Sequence, residues 1–240
     1  MSSASSSRRR SRASLLACLA LALLASTGEA RAEAGAAASI REAGHINWAQ
    51  VAVRAKPSTT APRLTVLSQF RPDFRPRVVL ALGVRYDEQG EPAWYRLSLP
   101  GRPNGRTGWV PAASVDLKPV RQEIVIDRSA RRLELRKAGK LQLRTTVAVG
   151  ASGMETPLGL FYVVAKFRPS APILGAFAFE TSAYSKLSDW PGGGIVGIHG
   201  TNSPSLLGQA VSHGCVRVAN EAILRLKELV APGTPIRIVA

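Results

Sequence analysis

The sequence predicts a mainly β protein, a small N-terminal barrel followed by a larger β-rich domain with one clear helix. Short apolar or alternating runs bounded by Pro, Gly, Asn and Ser recur between residues 46 and 239, the pattern of strands joined by tight turns. Only residues 220–230 place apolar side chains on one helical face, through Ile223, Leu226 and Val230. A turn-prone Lys118-Pro119-Val120 divides the runs into two sets and marks the domain boundary.

Residues 1–32 read as a secretory signal peptide. Arg8, Arg9, Arg10 and Arg12 form a positive start, residues 13–25 are apolar, and Ala30-Arg31-Ala32 fits an A-x-A cleavage site. The apolar run is shorter than the about 20 residues a spanning helix needs, so cleavage is expected in preference to an uncleaved anchor. The protein is therefore expected to be exported, to the periplasm or to the cell wall and extracellular space. Cleavage leaves 27 basic and 15 acidic residues, so a net charge of +16 falls to +12. That surplus favours an anionic surrounding such as a wall polymer, a membrane surface or nucleic acid. Export argues against nucleic acid, and the basic residues are dispersed rather than gathered into an aromatic-studded stripe.

Residues 33–45 begin alanine-rich and are expected to form a flexible tail. Within residues 46–117, Val51-Ala52-Val53-Arg54, Leu64-Thr65-Val66-Leu67, residues 77–82, Trp94-Tyr95-Arg96-Leu97 and Gly108-Trp109-Val110 predict the short strands of a small barrel. Trp94 and Trp109 are expected to pack its core. Residues 118–120 serve as linker. From residue 121, Glu123-Ile124-Val125-Ile126-Asp127 and Arg132-Leu133-Glu134-Leu135-Arg136 alternate as paired strands. Residues 141–149 and 160–167 continue the series, and residues 195–198 form a short apolar run of the buried-strand type. Asn220 is placed to cap the helix, Pro232-Gly233 to close it, and residues 235–239 to form a further strand.

Gly192-Gly193-Gly194-Ile195-Val196-Gly197 formally matches G-x-G-x-x-G. A dinucleotide loop follows a strand and opens a helix; here the glycines precede an apolar run and no helix follows. They read as a loop entering a strand.

The chemistry concentrates in residues 199–217, HGTNSPSLLGQAVSHGCVR. This stretch holds His199 and His213, two of three histidines, and Cys215, the cysteine that remains once Cys18 leaves with the signal peptide. A leftover thiol in an exported protein points to pairing between chains or to chemistry. Thiols attack as thiolates, and an unperturbed cysteine is mostly protonated at neutral pH. A nearby imidazole can take that proton, and backbone N–H groups beside the sulfur can hold a developing oxyanion. Gly214 has no Cβ to obstruct the approach. On these grounds either histidine can be the base. His199 ends a buried-type strand and is rigidly aimed, whereas His213 is held locally beside Cys215. A structural zinc takes four ligands, and His199, His213 and Cys215 supply three, so no metal is expected. An inert buried cysteine and covalent dimerisation are the remaining alternatives.

Two resemblances follow from these residues. Val51-Ala52-Val53-Arg54-Ala55-Lys56-Pro57-Ser58, Trp94-Tyr95-Arg96-Leu97 and Gly105-Arg106-Thr107-Gly108-Trp109-Val110 make residues 46–117 similar to a bacterial SH3-like domain. Such a module implies wall association or a packing role. His199-Gly200-Thr201-Asn202, followed by Ser212-His213-Gly214-Cys215-Val216-Arg217, resembles the L,D-transpeptidase (YkuD-type) catalytic domain, whose signature is a histidine, a gap and then S/T-H-G-C. Thr156-Pro157-Leu158-Gly159-Leu160-Phe161 is similar to the family's T-P-x-G-x-F segment, with Met154-Glu155 replacing the usual polar or glycine lead-in.

The second resemblance covers residues 121–240. It implies Cys215 as nucleophile, His199 as general base and the Gly200 carbonyl as its orienting group. Ser212, His213 and Gly214 would shape the site, with backbone N–H groups in the oxyanion hole. Arg217 would meet a substrate carboxylate or brace the loop. No metal or organic cofactor is implied. The implied reaction joins a peptidoglycan tetrapeptide donor to the diamino-acid amine of a neighbouring stem, giving a three-to-three cross-link. Water as acceptor would make the site an L,D-carboxypeptidase, and a wall-protein amine would make it an anchoring enzyme. A non-catalytic wall-binding protein is the rival class. An NlpC/P60-type peptidase fits poorly, because that family's cysteine precedes its histidine and no histidine follows Cys215 here.

Overall fold

The computed structural model describes Met1 and residues 38–189 and 192–240. The predicted signal peptide beyond Met1, and the first part of the predicted tail, lie outside the described residues. Those described form sixteen strands and one α-helix.

Seven strands make the first sheet: β1 (Ala38–Ile46), β2 (Gln50–Arg54), β3 (Arg63–Ser68), β4 (Val78–Tyr86), β5 (Pro92–Ser98), β6 (Thr107–Pro111) and β7 (Val115–Pro119). Their order is β3-β2-β6-β5-β4-β1-β7, antiparallel throughout. The flexible tail predicted up to residue 45 thus gives way to a strand at Ala38. The β1 sequence, ASIREAGHI, is poor in β-branched residues; pairing with β4 on one side and β7 on the other supplies what propensity does not. The linker predicted at 118–120 likewise shrinks, because β7 runs to Pro119. Val51, Val53, Val79, Ala81, Leu97 and Val110 alternate into an aliphatic core. Trp94 and Trp109, predicted for that core, are half-buried instead and lie on the other face of their strands from Leu97 and Val110.

The second sheet comprises β8 (Gln122–Asp127), β9 (Arg132–Lys137), β10 (Lys140–Gly150), β11 (Gly159–Phe167), β12 (Ala178–Tyr184), β13 (Ile195–His199), β14 (Ala210–Ser212), β15 (Val216–Val218) and β16 (Pro235–Val239). The order is β14-β10-β15-β13-β12-β11-β16-β8-β9, and a further pairing of β9 with β10 closes the sheet on itself. Closure removes the open edges that an extended sheet would expose. Helix α1 (Asn220–Leu229) lays Ile223 and Leu226 into the core formed by Phe179, Val196, Ile198, Val216 and Val218. The Lys166 ammonium donates to the carbonyls of Lys227 at 2.8 Å and Val230 at 3.1 Å, satisfying acceptors that a helix end leaves open. Asn220 does not cap the helix as predicted: no side chain caps that end, and the Asn220 amide is turned to other segments.

The two sheets meet through Val78 and Leu80 of β4 against the fully buried Tyr162 of β11. Polar struts flank this joint. Arg71 grips both Glu180 oxygens, at 2.9 and 2.8 Å. Arg102 donates to the carbonyls of Ser185, Leu187 and Gly193. Asn104 exchanges two hydrogen bonds with the backbone of Tyr184.

Candidate active site

Strands β13 and β15 run parallel, with Ile198 opposite Val216 and His199 opposite Arg217. Side chains alternate along a strand, so Gly197, His199, Cys215 and Arg217 share one face while Ile198, Val216 and Val218 enter the core on the other. Neighbouring β12 adds Ala178 opposite His199 and Glu180 opposite Gly197. This face floors a cavity of about 540 Å³, walled by Phe167, Ile173 and Leu174 and reached by His213. The sequence-predicted Cys215, His199, His213, Ser212 and Arg217 all line it.

His199 is buried, and its Nδ1 lies 2.6 Å from the carbonyl oxygen of Gly200. A carbonyl only accepts, so Nδ1 carries the proton and Nε2 keeps its lone pair while the ring is neutral. Burial pulls His199 below its ordinary pKa, with the Gly200 bond acting against that fall and the Arg217 charge adding to it. Cys215 is half-buried, and its Sγ accepts from Gly197 N–H at 3.3 Å. Burial pushes its thiol above the ordinary value, while the Gly197 bond and the Arg217 charge pull the other way. Both shifts favour a neutral thiol beside a neutral imidazole at rest.

The turn carrying the sulfur is built from small residues. Gly214 has φ +114°, and a Cβ there would sit 2.8 Å from the Ser185 Cβ, so only glycine suits the position. Buried Ser212 donates to the Cys215 carbonyl and accepts from Gly214 N–H at 3.2 Å. Thr156, also buried, donates to the Gly214 carbonyl and accepts from Gly150 N–H, each at 2.9 Å. The Arg217 Nε is buried with no hydrogen-bond partner among the described residues. An unmatched buried donor is costly, and a carboxylate entering the cavity would satisfy it.

Glu155 lies elsewhere. It pairs with Lys186 at 3.1 Å and lines a separate hollow with Arg102, Arg128 and Tyr184. The Gly153 N–H chiefly, with Lys186 assisting, holds its carboxyl at about 2. Gly197, Glu180 and the residue 171–174 wall were not anticipated from sequence. Residues 195–198 read as a buried-type apolar run, which does not single out Gly197, and nothing in the sequence marks β12 as its neighbour. Among the described residues, no cluster of three or more His, Cys, Asp or Glu side chains could hold a metal ion.

Residues 121–238 match the family model described as the L,D-transpeptidase catalytic domain, YkuD. The YkuD protein of Bacillus subtilis is 28% identical over 173 residues, covering 72% of this chain and 92% of the relative. The YkuD protein of Bacillus licheniformis is 34% identical over 116 residues, covering 48% of this chain and 64% of the relative. Among solved structures, an L,D-transpeptidase of Enterococcus faecium is 22% identical with a TM-score of 0.41, over 52% of this chain and 56% of that one.

Proposed function

We infer that this chain carries an L,D-transpeptidase catalytic domain over residues 121–238, the stretch that family's model matches, and that it is a cysteine-dependent acyltransferase that cross-links peptidoglycan stem peptides. Cys215 Sγ attacks the carbonyl of the diamino acid at position three of a tetrapeptide stem. His199 Nε2 accepts the thiol proton and passes it to the amine of the departing D-alanine, so an S–C bond forms as the C–N bond breaks. The backbone N–H of Cys215 stabilises the tetrahedral oxyanion, the Gly214 N–H being held by Ser212. Arg217 holds a substrate carboxylate through its unmatched Nε and the rest of its guanidinium. The amine of a neighbouring stem then attacks the thioester, closing a three-to-three cross-link and freeing the thiol.

The observation that carries this reading is the His199–Gly200 bond at 2.6 Å, which leaves Nε2 as the free base on the sheet face that also bears Cys215. Burial keeps both groups neutral at rest, so deprotonation accompanies the arrival of the carbonyl. Water in place of the amine gives tripeptide, the carboxypeptidase outcome, and a wall-protein amine gives an anchored protein. The N-terminal sheet is proposed to be the SH3-like module and to hold the enzyme at the wall, after export through the predicted signal peptide.

Mass spectrometry of the full chain with a defined tetrapeptide tests the chemistry. An acyl adduct on Cys215, followed by dimer, supports transfer; tripeptide alone supports hydrolysis. Turnover that survives Cys215→Ala overturns the enzyme reading, and sedimentation of Cys215→Ala with isolated walls isolates the binding contribution.

A further inference from the structure

Asn220 begins α1, yet its side chain reaches two other segments. Its Oδ1 accepts from Thr201 N–H at 3.2 Å and from Ala176 N–H at 3.0 Å, and its Nδ2 donates to the Thr201 carbonyl at 3.0 Å. One amide thus engages both backbone groups of Thr201, as a neighbouring strand would, just where β13 has ended at His199.

The peptide unit between Gly200 and Thr201 is the significant one. Its carbonyl accepts from His199 Nδ1, and its N–H donates to Asn220 Oδ1. A trans peptide is planar, with its C=O and N–H pointing in opposite directions. Fixing the N–H end therefore fixes the direction of the C=O, and the chain of hydrogen bonds polarises each member. We propose that Asn220 is a positioning residue for His199, orienting through this peptide unit the carbonyl that selects the histidine's tautomer and ring angle. The proposal rests on His199 acting as the base.

The surrounding residues are shaped for this contact. A Cβ on Gly200 would lie 2.2 Å from Asn220 Oδ1, and one on Gly175 would lie 2.4 Å from the same atom. Both glycines leave room for the amide. The Ala176 bond also ties down the chain that leads from Ile173 and Leu174, the apolar wall of the cavity. Asparagine is suited because it presents an acceptor and a donor together. Aspartate keeps the acceptor but sets a second oxygen against the Thr201 carbonyl, and alanine loses all three bonds. Asn220 is itself solvent-exposed, so its replacement removes little buried area and the fold should survive.

The test compares the full chain with Asn220→Ala, Asn220→Asp and His199→Ala. The first measurement is the pH dependence of Cys215 alkylation by iodoacetamide, with the site identified by peptide mass. The second is the imidazole 15N spectrum, which is simple because the chain has three histidines. Expected for Asn220→Ala are a mixture of His199 tautomers and an alkylation rate at neutral pH reduced about ten- to a hundredfold, the scale of a small misplacement of a catalytic group. Asn220→Asp should retain the Nδ1–H tautomer and lose less. If His199→Ala slows alkylation while Asn220→Ala keeps both the wild-type tautomer and rate, the positioning role is overturned and the base assignment stands. If His199→Ala leaves alkylation unchanged, the base assignment itself fails, and the proposal with it.

Discussion

Thr156 Oγ1 donates to the Gly214 carbonyl at 2.9 Å, joining residues 58 apart in sequence. The same oxygen accepts from Gly150 N–H, so one hydroxyl holds the T-P-x-G-x-F segment, the end of β10 and the turn that carries Cys215. Thr156→Val preserves shape but strands a buried donor and a buried acceptor. A loss of about 1–3 kcal/mol is expected, read by urea unfolding, together with slower alkylation of Cys215. Thr156→Ser keeps the hydroxyl and should recover most of both.

Gly214→Ala should be more damaging to activity than to folding. The added methyl meets Ser185 and the backbone must leave φ +114°, a strain of about 1–3 kcal/mol. The turn can relieve it only by moving the sulfur. Far-UV circular dichroism should remain that of the native protein while turnover of a tetrapeptide falls below detection.

Arg217 has two separable effects. Its charge lowers both the Cys215 and the His199 pKa, so Arg217→Met should move the alkylation profile of Cys215 to higher pH. It should also raise KM for a carboxylate-bearing stem by about tenfold or more, the loss of a charged hydrogen bond. A wild-type KM with a shifted profile would assign Arg217 to tuning alone.

The same two shifts set opposite limbs of a stability profile. His199 is depressed from 6.5, so below that pH the unfolded chain binds a proton the folded one refuses, and stability falls as pH falls. Cys215 is raised from 9.0, so above that pH the unfolded chain ionises first, and stability falls as pH rises. Urea midpoints should therefore decline on either side of the interval from 6.5 to 9.0. His199→Gln should flatten the acidic limb, and Cys215→Ala the basic one.

Arg102 and Asn104 reach from the first sheet to the backbone of Tyr184, Ser185, Leu187 and Gly193. Arg102→Ala should increase hydrogen exchange at Ser185 and Ile195, whose amides bond within that loop, by about tenfold, the worth of one charged hydrogen bond. Exchange in β8 and β9 should not change.

Much of the site was legible because its residues are chemically rare and close in sequence. Cys215, His199 and His213 needed no knowledge of the fold. The parallel pairing of β13 with β15, which sets His199 and Cys215 on one face, was not legible, since register depends on partners distant in the chain. AFETSAY in β12 mixes polar and apolar residues without clean alternation, so the strand that brings Glu180 to the cavity escaped notice. Residues 38–45 lack β-propensity and read as tail from the sequence. Asn220 showed the opposite failure: its position at a helix start suggested a cap, and only the fold revealed Thr201 and Ala176 as its partners. Arg71 and Arg102 carry no signal, because surface arginines that bridge two sheets look like any others.

The place of β16 has a bearing on when the sheet around Cys215 closes. Pro235–Val239 is inserted between β8 and β11, although it is made after every other strand described. A nascent chain that has not yet released these residues leaves the closed sheet open at two unpaired edges, the kind that invite aggregation. The sheet that holds His199 and Cys215 therefore closes only once residues 235–239 have joined it, and trimming a few residues from this segment would open that sheet without touching His199 or Cys215.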